Sequence, residues 1–341
     1  MAALSLPVIV APSRLHDQAV PWLQSLGGPA WIVLGDPEAG PRWVVVTLLH
    51  GNEPSGALAL HRWLLEGPRP RRPLWVLLAN VVGALAHPVF TRRHAPDDRD
   101  LNRCFRAPFA GPSGELARAI IADLVAMAPE LVVDLHNTSG NGPAFAVATR
   151  RHPVIEALAG RFCERLIVTD LRLGSLMELP HREPALADCP VFTLECGGAL
   201  QLEAREVAGG LFRLLADCQD LSALPCPPDL EVLVHPLRVE LRPGAVVVYD
   251  RGPNPDADLT LWARIDEHNR GVTSPQACLG WLGPAGLGCL QAIDGEGRER
   301  IAELFEARDG RLHARRTLRL FMATTNSEIA RSDCLFYAVP A

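Results

Sequence analysis

The sequence of 341 residues contains no lysine, so that all 33 of its basic residues are arginine. This absence excludes Schiff-base chemistry on a lysine, attachment of pyridoxal phosphate, and the lysine that P-loop proteins use to bind nucleotide phosphates. Any binding of a substrate anion must therefore rely on arginine, whose planar guanidinium matches the geometry of a carboxylate.

Long apolar runs and excess positive charge are also missing. No apolar run approaches the roughly 18 residues needed to span a bilayer, and residues 1–7 have no basic segment ahead of their short apolar stretch. We therefore expect neither membrane insertion nor secretion. A net charge of −6, with no basic run longer than residues 69–72, argues against a nucleic-acid partner.

The nine cysteines are scattered through largely apolar segments and show no C-x-x-C spacing. An odd number without metal-type spacing indicates reduced thiols rather than a disulfide framework, which favours a cytoplasmic location. The sequence leaves homo-oligomerisation open.

Apolar runs typical of buried strands alternate with helical patterns through the first two thirds of the chain. The predicted strands are 43–47, 74–80, 131–136, 145–149, 167–169 and 191–194, and the predicted helices are 56–65, 114–127 with Ser113 as its cap, 153–166 and 202–218. This alternation predicts an α/β domain with a mostly parallel or mixed sheet and helices on both faces. A proline-rich stretch at 224–228 then separates residues 1–224 from a smaller β-rich domain at 229–341.

The segment H-G-N-E places His50 and Glu53 on a turn between a predicted strand and a helix. Open α/β sheets bind ligands at the carboxyl ends of their strands, so both side chains can face one metal ion. A lone H-x-x-E occurs by chance in many proteins. His136, at the end of another predicted strand, completes a His₂Glu set, which is one of the recurrent three-ligand sets of catalytic zinc sites.

A hydrolase also needs a carboxylate that does not bind the metal, to move a proton between water and the leaving group. Glu195, at the end of the strand 191–194, is the candidate. Side chains alternate along a strand, so Cys196 points away from the face of Glu195 and is not expected to act as a nucleophile.

Four motifs in this order, H-G-N-E, D-L-N-R, D-L-H and T-L-E-C-G-G, resemble the succinylglutamate desuccinylase/aspartoacylase family. This family belongs to the wider zinc carboxypeptidase-like group, and the resemblance covers roughly residues 40 to 220. It implies a zinc carboxypeptidase-like fold, one Zn²⁺ per chain bound by His50, Glu53 and His136, and Glu195 as general base and acid. Asp100 would accept a hydrogen bond from His50 and orient it.

The resemblance also implies residues that hold the substrate. Asn102 and Arg103 would bind a substrate carboxylate, and either Arg92 or Arg93 would polarise the scissile carbonyl. Arg182 matches a further substrate-binding arginine only by loose spacing. Neither of the two tyrosines, Tyr249 and Tyr337, aligns with the tyrosine of the family's active site.

The function expected from this set is hydrolysis of a linear amide bond in a small N-acyl amino acid, giving a carboxylate and a free amine. One alternative is a zinc carboxypeptidase, which would bind the terminal carboxylate of a peptide with the same arginine. Another is a relative without activity that serves as a binding or scaffold protein. The sequence identifies neither the acyl group nor the amino acid.

Overall fold

A computed structural model describes residues 4–10, 15–38, 42–95, 97–138, 140–199 and 201–341 of the chain. These residues form two compact units. The first contains the described residues within 1–137, 144–166 and 172–231, and the second contains those within 138–143, 167–171 and 232–341. Within the described ranges, no helix is long and apolar enough to cross a membrane. The domain boundary expected near residues 224–229 stays a prediction.

The first unit is built on a mixed sheet. Its strands are β1 (Val8–Val10), β2 (Ala30–Leu34), β3 (Trp43–Thr47), β4 (Leu74–Leu78), β5 (Leu131–Thr138), β6 (Phe145–Ala148), β7 (Arg165–Val168) and β8 (Val191–Gly198). They lie in the order β1-β2-β4-β3-β5-β8-β6-β7. Strand β3 runs parallel to both β4 and β5, whereas β6 is antiparallel to β8. The sheet thus brings β3, β5 and β8 side by side at its centre.

Helices separate these strands along the chain. They are α1 (Ala19–Leu26), α2 (Ser55–Glu66), α3 (Val81–Leu85), α4 (Gly111–Met127), α5 (Pro153–Ala159) and α6 (Leu202–Asp217). Every residue of β3, β4, β5 and β8 is buried, which requires that both faces of the central sheet be covered. The predicted α/β architecture is confirmed.

One face of the sheet packs on α4. Trp31, Trp75 and Val132 from three strands join Ile120 and Leu124 of the helix in a single apolar cluster. Trp31 and Trp75 meet edge to face at 6.4 Å between ring centroids, a preferred geometry for aromatic pairs. Burial of these large side chains makes the central strands a rigid platform for the side chains at their ends.

Two local predictions were wrong. Helix α4 begins at Gly111 and its cap position is Ala110, so Ser113 lies inside the first turn of the helix. The Ser113 hydroxyl donates to Asp98 and to the carbonyl of Arg99 instead of capping the helix. The helix predicted over 153–166 ends at Ala159, after which the chain enters β7. Gly160 follows at the C-cap in a right-handed conformation, and the chain continues in turns in which the backbones of Phe162 and Cys163 donate to the carbonyl of Ala159.

The second unit is rich in β-structure, as predicted. The last three residues of β9 (Glu231–Val234) belong to this unit. The elements after β9 are β10 (Leu237–Leu241), β11 (Val247–Asp250), β12 (Leu259–Trp262), β13 (Cys278–Leu282), β14 (Leu290–Ile293), α7 (Ile301–Leu304), β15 (Phe305–Arg308), β16 (Arg311–Ala314), β17 (Leu318–Phe321), α8 (Ser327–Ser332) and β18 (Phe336–Pro340). Strands β10 to β18 form two sheets, ordered β14-β10-β18-β17 and β11-β12-β13-β16-β15. Tyr249 lies on β11 and Tyr337 on β18.

Candidate metal centre

The turn after β3 carries the first two candidate ligands. Leu48 adopts a left-handed conformation with φ of 58°, which is uncommon for a residue with a branched side chain, and it is fully buried. The carbonyl of Leu48 accepts a hydrogen bond of 2.7 Å from the backbone of Asn80. A strained backbone conformation of this kind persists where the surrounding contacts hold it in place. Here the strained residue lies in the turn that carries His50 and Glu53.

Gly51 in the same turn permits a close approach of two other segments. A Cβ at this position would lie 2.5 Å from the backbone nitrogen of Ala84 and 2.8 Å from the carbonyl oxygen of Arg92. The Gly51 amide donates to the carbonyl of Arg93 at 2.9 Å. Only glycine fits here, and the contact brings residues 92–93 beside the turn.

Three buried side chains converge at this point. Nδ1 of His50 lies 2.8 Å from Oε1 of Glu53, and Nδ1 of His136, at the end of β5, lies 2.8 Å from Oε2 of the same carboxylate. The two Nδ1 atoms are 3.2 Å apart. Among the described residues, His50, Glu53 and His136 form the group whose ligand atoms lie within 4.8 Å of one another and could hold a metal ion.

Each imidazole has a carboxylate at its other nitrogen. Nε2 of His50 lies 3.0 Å from Oδ1 of Asp100, and Nε2 of His136 lies 2.7 Å from Oδ2 of Asp134. Each imidazole therefore faces a carboxylate at both nitrogens, because Glu53 lies at Nδ1 of both rings. With a metal ion between the Nδ1 atoms, both rings would donate from Nε2 and present the Nδ1 lone pair to the metal. This is the carboxylate–histidine–metal arrangement that fixes ring orientation and raises ligand basicity.

The electrostatics of the group favour positive charge between the ligands. Burial and the guanidinium of Arg93 lower the pKa of His50, but the carboxylates of Glu53 and Asp100 outweigh them and raise it above its ordinary value. Burial is likewise outweighed at His136, whose pKa lies well above its ordinary value because of Asp134 and Glu53. Burial alone would raise the pKa of Glu53, yet the two imidazoles hold it well below its usual range.

The donor set and the separation of the two imidazole nitrogens fit zinc. Zn–N bonds of about 2.0–2.1 Å in a tetrahedral site put ligand atoms roughly 3.3 Å apart, close to the 3.2 Å between the two Nδ1 atoms. The positive charge that the pocket favours is supplied either by protons on the imidazoles or by a divalent cation, so cation binding should release protons. The donor set of two imidazoles and one carboxylate is also one that zinc uses.

Glu195 lies on β8, the strand next to β5. It is buried, and no donor among the described residues reaches its Oε2. Burial raises the pKa of Glu195 to about 7, and the nearby Glu53 and Asp134 add to the shift while the imidazoles oppose it. Cys196 is also buried, and burial followed by the charge of Glu195 raises the pKa of its thiol well above its ordinary value, which leaves it unsuited to act as a nucleophile.

Asn137 connects the three strand ends and was missed in the sequence. Its Oδ1 accepts from the backbone of Ser55, and its Nδ2 donates to the Ser55 hydroxyl and to the carbonyl of Gly197. Its backbone N–H donates to Oε2 of Glu53 at 3.1 Å. Asn137 therefore connects the start of α2 and the end of β8 to the end of β5, which carries His136. Its position directly after D-L-H was the only available signal.

The D-L-N-R motif forms a short 3₁₀ turn over Leu101–Arg103 that Asp100 caps, since its carboxylate accepts from the backbone of Asn102 at 2.8 Å. Asn102 is buried, and its Oδ1 accepts from the backbone of Leu176 at 2.9 Å. Arg103 is half-buried and donates from Nη1 to the carbonyl of Asn102. The motif thus lies against both the metal centre and the segment around residue 176.

The two alternative arginines differ in position. Arg93 donates from Nε to Oδ2 of Asp100 at 3.0 Å, and its Nη1 lies 3.7 Å from Oε1 of Glu53. Arg92 is exposed, and its Nε donates to the carbonyl of His87 at 3.4 Å. Arg182 lies elsewhere in the first unit and pairs with Glu178 at 2.9 Å.

Comparison with known proteins bears on this arrangement. The family model of the succinylglutamate desuccinylase/aspartoacylase catalytic domain matches residues 39–211 of the sequence. This span includes both candidate histidines, Glu53 and Glu195. The chain belongs to this family. A sequence search of curated proteins gave no significant match.

Solved structures share the fold at low identity. A succinylglutamate desuccinylase/aspartoacylase from Rhodobacter sphaeroides has 17% identity and a TM-score of 0.53, covering 89% of this chain and 86% of that one. The succinylglutamate desuccinylase from Vibrio cholerae has 14% identity and a TM-score of 0.53, with 90% and 91% coverage. Murine aminoacylase 3 has 16% identity and a TM-score of 0.50, with 88% and 98% coverage.

Proposed function

We propose that this protein is a zinc-dependent hydrolase that cleaves the amide bond of a small N-acyl amino acid. The observation that carries the proposal is the convergence of His50, Glu53 and His136, whose ligand atoms lie within 4.8 Å of one another, beside the buried carboxylate of Glu195. Membership of the succinylglutamate desuccinylase/aspartoacylase family supports amide hydrolysis as the reaction.

The three ligands would hold one zinc ion per chain. When bound in a site with three protein ligands, zinc lowers the pKa of a coordinated water toward neutrality and polarises a carbonyl. Asp100 and Asp134 keep the two imidazoles in the tautomer that presents Nδ1. Asn137 fixes the Glu53 carboxylate through its backbone N–H, so the ligands are positioned before substrate arrives.

Glu195 would accept the proton of the attacking water and deliver it to the leaving nitrogen. A base works best when its pKa lies near the working pH, and burial raises the pKa of Glu195 toward that range. Its Oε2 has no donor among the described residues, which leaves this atom available for the proton.

The substrate would be held by polar groups on the same side of the metal centre. Arg93, within 3.7 Å of Glu53, is better placed than the exposed Arg92 to polarise the scissile carbonyl. Nδ2 of Asn102 makes no hydrogen bond with the described part of the chain and can donate to a substrate carboxylate, as can Arg103 beside it.

A panel of substrates tests the proposed class. Purified protein with zinc is assayed for amine release from N-succinyl, N-acetyl and N-formyl amino acids and from short peptides with free carboxyl termini. We expect hydrolysis of at least one N-acyl amino acid. The rates should differ strongly between the compounds, because a buried polar site discriminates against molecules that leave its donors unpaired. Cleavage of peptides alone would replace the proposal with a carboxypeptidase, and no hydrolysis at all would favour the scaffold alternative.

A further inference from the structure

Asn80 lies between β4 and α3, outside the four sequence motifs. Its backbone N–H donates to the carbonyl of Leu48 at 2.7 Å, and its own carbonyl accepts from the backbone of Ala84 at 3.0 Å. Leu48 is the buried residue with positive φ in the turn that carries His50 and Glu53. The backbone of Asn80 is therefore fixed against the turn of these two candidate ligands.

The contacts of the Asn80 side chain determine the orientation of its amide. Oδ1 accepts from the backbone N–H of Gly83 at 2.9 Å and so caps α3, and Nδ2 donates to the carbonyl of Arg93 at 3.3 Å. A backbone N–H can only donate and a carbonyl can only accept, so the reverse orientation of the amide would break both bonds. A Cβ at Gly83 would lie 2.7 Å from both Nδ2 and Oδ1, and glycine here leaves the space that the amide occupies.

The carbonyl of Arg93 accepts a second hydrogen bond, from the backbone N–H of Gly51 at 2.9 Å. A carbonyl oxygen has two lone pairs, and here one faces the amide of Asn80 and the other faces Gly51. Gly51 belongs to the H-G-N-E turn, whereas Asn80 belongs to the segment that follows β4. The backbone of Arg93 is therefore held by two segments at once.

The side chain of Arg93 leads from this fixed backbone to the candidate ligands. Its Nε donates to Oδ2 of Asp100 at 3.0 Å, and its Nη1 lies 3.7 Å from Oε1 of Glu53. The side chain is 24% exposed, which leaves part of it accessible to a substrate. Arg92 is exposed, and its Nε donates instead to the carbonyl of His87. The two bonds to the Arg93 carbonyl thus hold the chain so that the second of two consecutive arginines faces Glu53.

We propose that Asn80 is a positioning residue for Arg93. Its amide holds the backbone of Arg93 and thereby sets the position of the guanidinium that would polarise the scissile carbonyl. This inference rests on the proposed function and assigns Asn80 an effect on the chemical step, exerted through Arg93 and without contact with the substrate. A displacement of about 1 Å in a group that stabilises the transition state can lower a rate by about 10²-fold.

Two substitutions remove the donor to Arg93 and keep the cap of α3. Asn80→Asp keeps an oxygen for the Gly83 N–H, but a carboxylate cannot donate to the Arg93 carbonyl. Asn80→Ser carries no charge, and its side chain is too short to replace the amide nitrogen. Asparagine, aspartate and serine are about equally good helix caps. We expect kcat to fall roughly 10- to 100-fold in both variants, with KM and zinc content close to those of the wild type.

Combination with Arg93→Met tests whether Asn80 acts through Arg93. We expect Arg93→Met alone to lower kcat by about 10²–10³, as the loss of one oxyanion donor does. Adding Asn80→Asp to Arg93→Met should lower kcat little further, because residues that act as one unit are not additive.

Hydrogen exchange gives a readout that does not depend on activity. The Gly51 amide donates to the same carbonyl of Arg93 that Asn80 holds. We expect this amide to exchange faster in Asn80→Asp than in the wild type, because the acceptor of its hydrogen bond has lost its second donor. Mass spectrometry of peptides that contain residue 51 measures the rate.

Asn326→Asp is a matched control. Asn326 caps α8 in the second unit, where its Oδ1 accepts from the backbones of Glu328 and Ile329 at 2.9 and 3.4 Å. Its amide nitrogen donates to no acceptor in the described part of the chain, so the same substitution here keeps the cap and loses no hydrogen bond. We expect kcat, KM and zinc content to equal those of the wild type.

The outcomes separate the inference from the proposed function. With an active wild type, the inference alone is overturned by unchanged kcat in a folded Asn80 variant, by unchanged exchange at Gly51, or by loss of zinc together with kcat. An equal fall in kcat with and without Arg93→Met also overturns it, since Asn80 would then act independently of Arg93. If Asn80→Asp does not fold, the same measurements on Asn80→Ser decide. A wild type that hydrolyses no N-acyl amino acid removes the proposed function, and with it the effect assigned to Asn80.

Discussion

His136 is held at both ring nitrogens, by Asp134 at Nε2 and by Glu53 and His50 at Nδ1. We expect the wild type to contain about one zinc ion per chain and His136→Ala to contain much less, because catalytic zinc sites have three protein ligands and no spare one. Elemental analysis after dialysis measures this, and circular dichroism checks the fold.

His152→Ala is a suitable control for the zinc measurement. His152 caps α5, where its side chain accepts from the backbone of Val154, and it contributes to no ligand group among the described residues. Its zinc content should equal that of the wild type. Full zinc in His136→Ala would remove His136 from the ligand set.

Glu195 is the residue outside the proposed ligand set on which kcat should depend most. Glu195→Gln keeps the shape of the buried side chain and removes its ability to accept a proton. We expect kcat to fall by about 10²–10⁴, the usual contribution of general acid–base catalysis, while zinc content stays unchanged. Wild-type turnover in this variant would disprove the proposed mechanism.

The pH dependence of kcat/KM should also report on Glu195. A general base must be ionised, so activity should fall as the pH drops through its pKa. Burial raises that pKa from 4.5 to about 7, whereas a bound divalent cation favours the carboxylate and shifts it downward. We therefore expect the acid limb between 4.5 and about 7, measured in saturating zinc. Activity that stays constant from pH 8 down to pH 4 would contradict this role.

At the scale of elements, the packing of α2 on the sheet positions the H-G-N-E turn. Gly56 lies in the first turn of α2, and a Cβ there would lie 2.3 Å from Oγ1 of Thr47 and 3.2 Å from Cβ of Leu135. We expect Gly56→Ala to lower the free energy of unfolding by about 1–3 kcal/mol, as overpacking does, despite the better helix propensity of alanine. Urea unfolding measures the change.

Gly209 in α6 gives the opposite expectation for the same substitution. The nearest atom to an added Cβ is Nη1 of Arg213 at 3.5 Å, an ordinary contact with a flexible side chain. Gly209→Ala should therefore stabilise the protein by about 0.5–1 kcal/mol through helix propensity alone. Equal effects of the two substitutions would mean that the close packing at Gly56 is not the cause.

At the scale of the whole molecule, the second unit has its own internal connections. Asn269 is buried, accepts from the backbone of Ala323 at 2.8 Å, and donates to the carbonyls of Ala323 and Asn141. Asn269→Ala leaves these backbone groups unsatisfied, at a cost of about 1–3 kcal/mol each when they stay buried. We expect an earlier unfolding transition with unchanged zinc content, since the proposed metal ligands belong to the first unit.

Asn254→Ala serves as the comparison for that measurement. Its side chain accepts from the backbone of Asp256 in an exposed turn, where water replaces the lost bond. The unfolding transition should move little. Loss of zinc in Asn269→Ala would show that the two units do not unfold independently.

Local patterns predicted the main elements and the residues of the candidate site. Continuous apolar runs such as Trp43–Thr47 and Leu74–Leu78 indicate strands buried on both faces, and these strands are present. Few residue types bind zinc, and strand ends are where α/β sheets carry such residues, so the sequence was sufficient to select His50, Glu53, His136 and Glu195 as the candidate site. The roles proposed for them rest on chemistry that is local to each side chain.

Only the tertiary structure decided which further groups surround that site. Asn102 and Leu176 are 74 positions apart, and Asn137 and Gly197 are 60 apart, yet each pair shares a hydrogen bond. The approach of Arg93 to the carboxylate of Glu53, at 3.7 Å, likewise depends on how separate segments pack. Such contacts have no periodicity and no characteristic spacing in the chain, because they are set by the sheet order and by the turns that the strands carry.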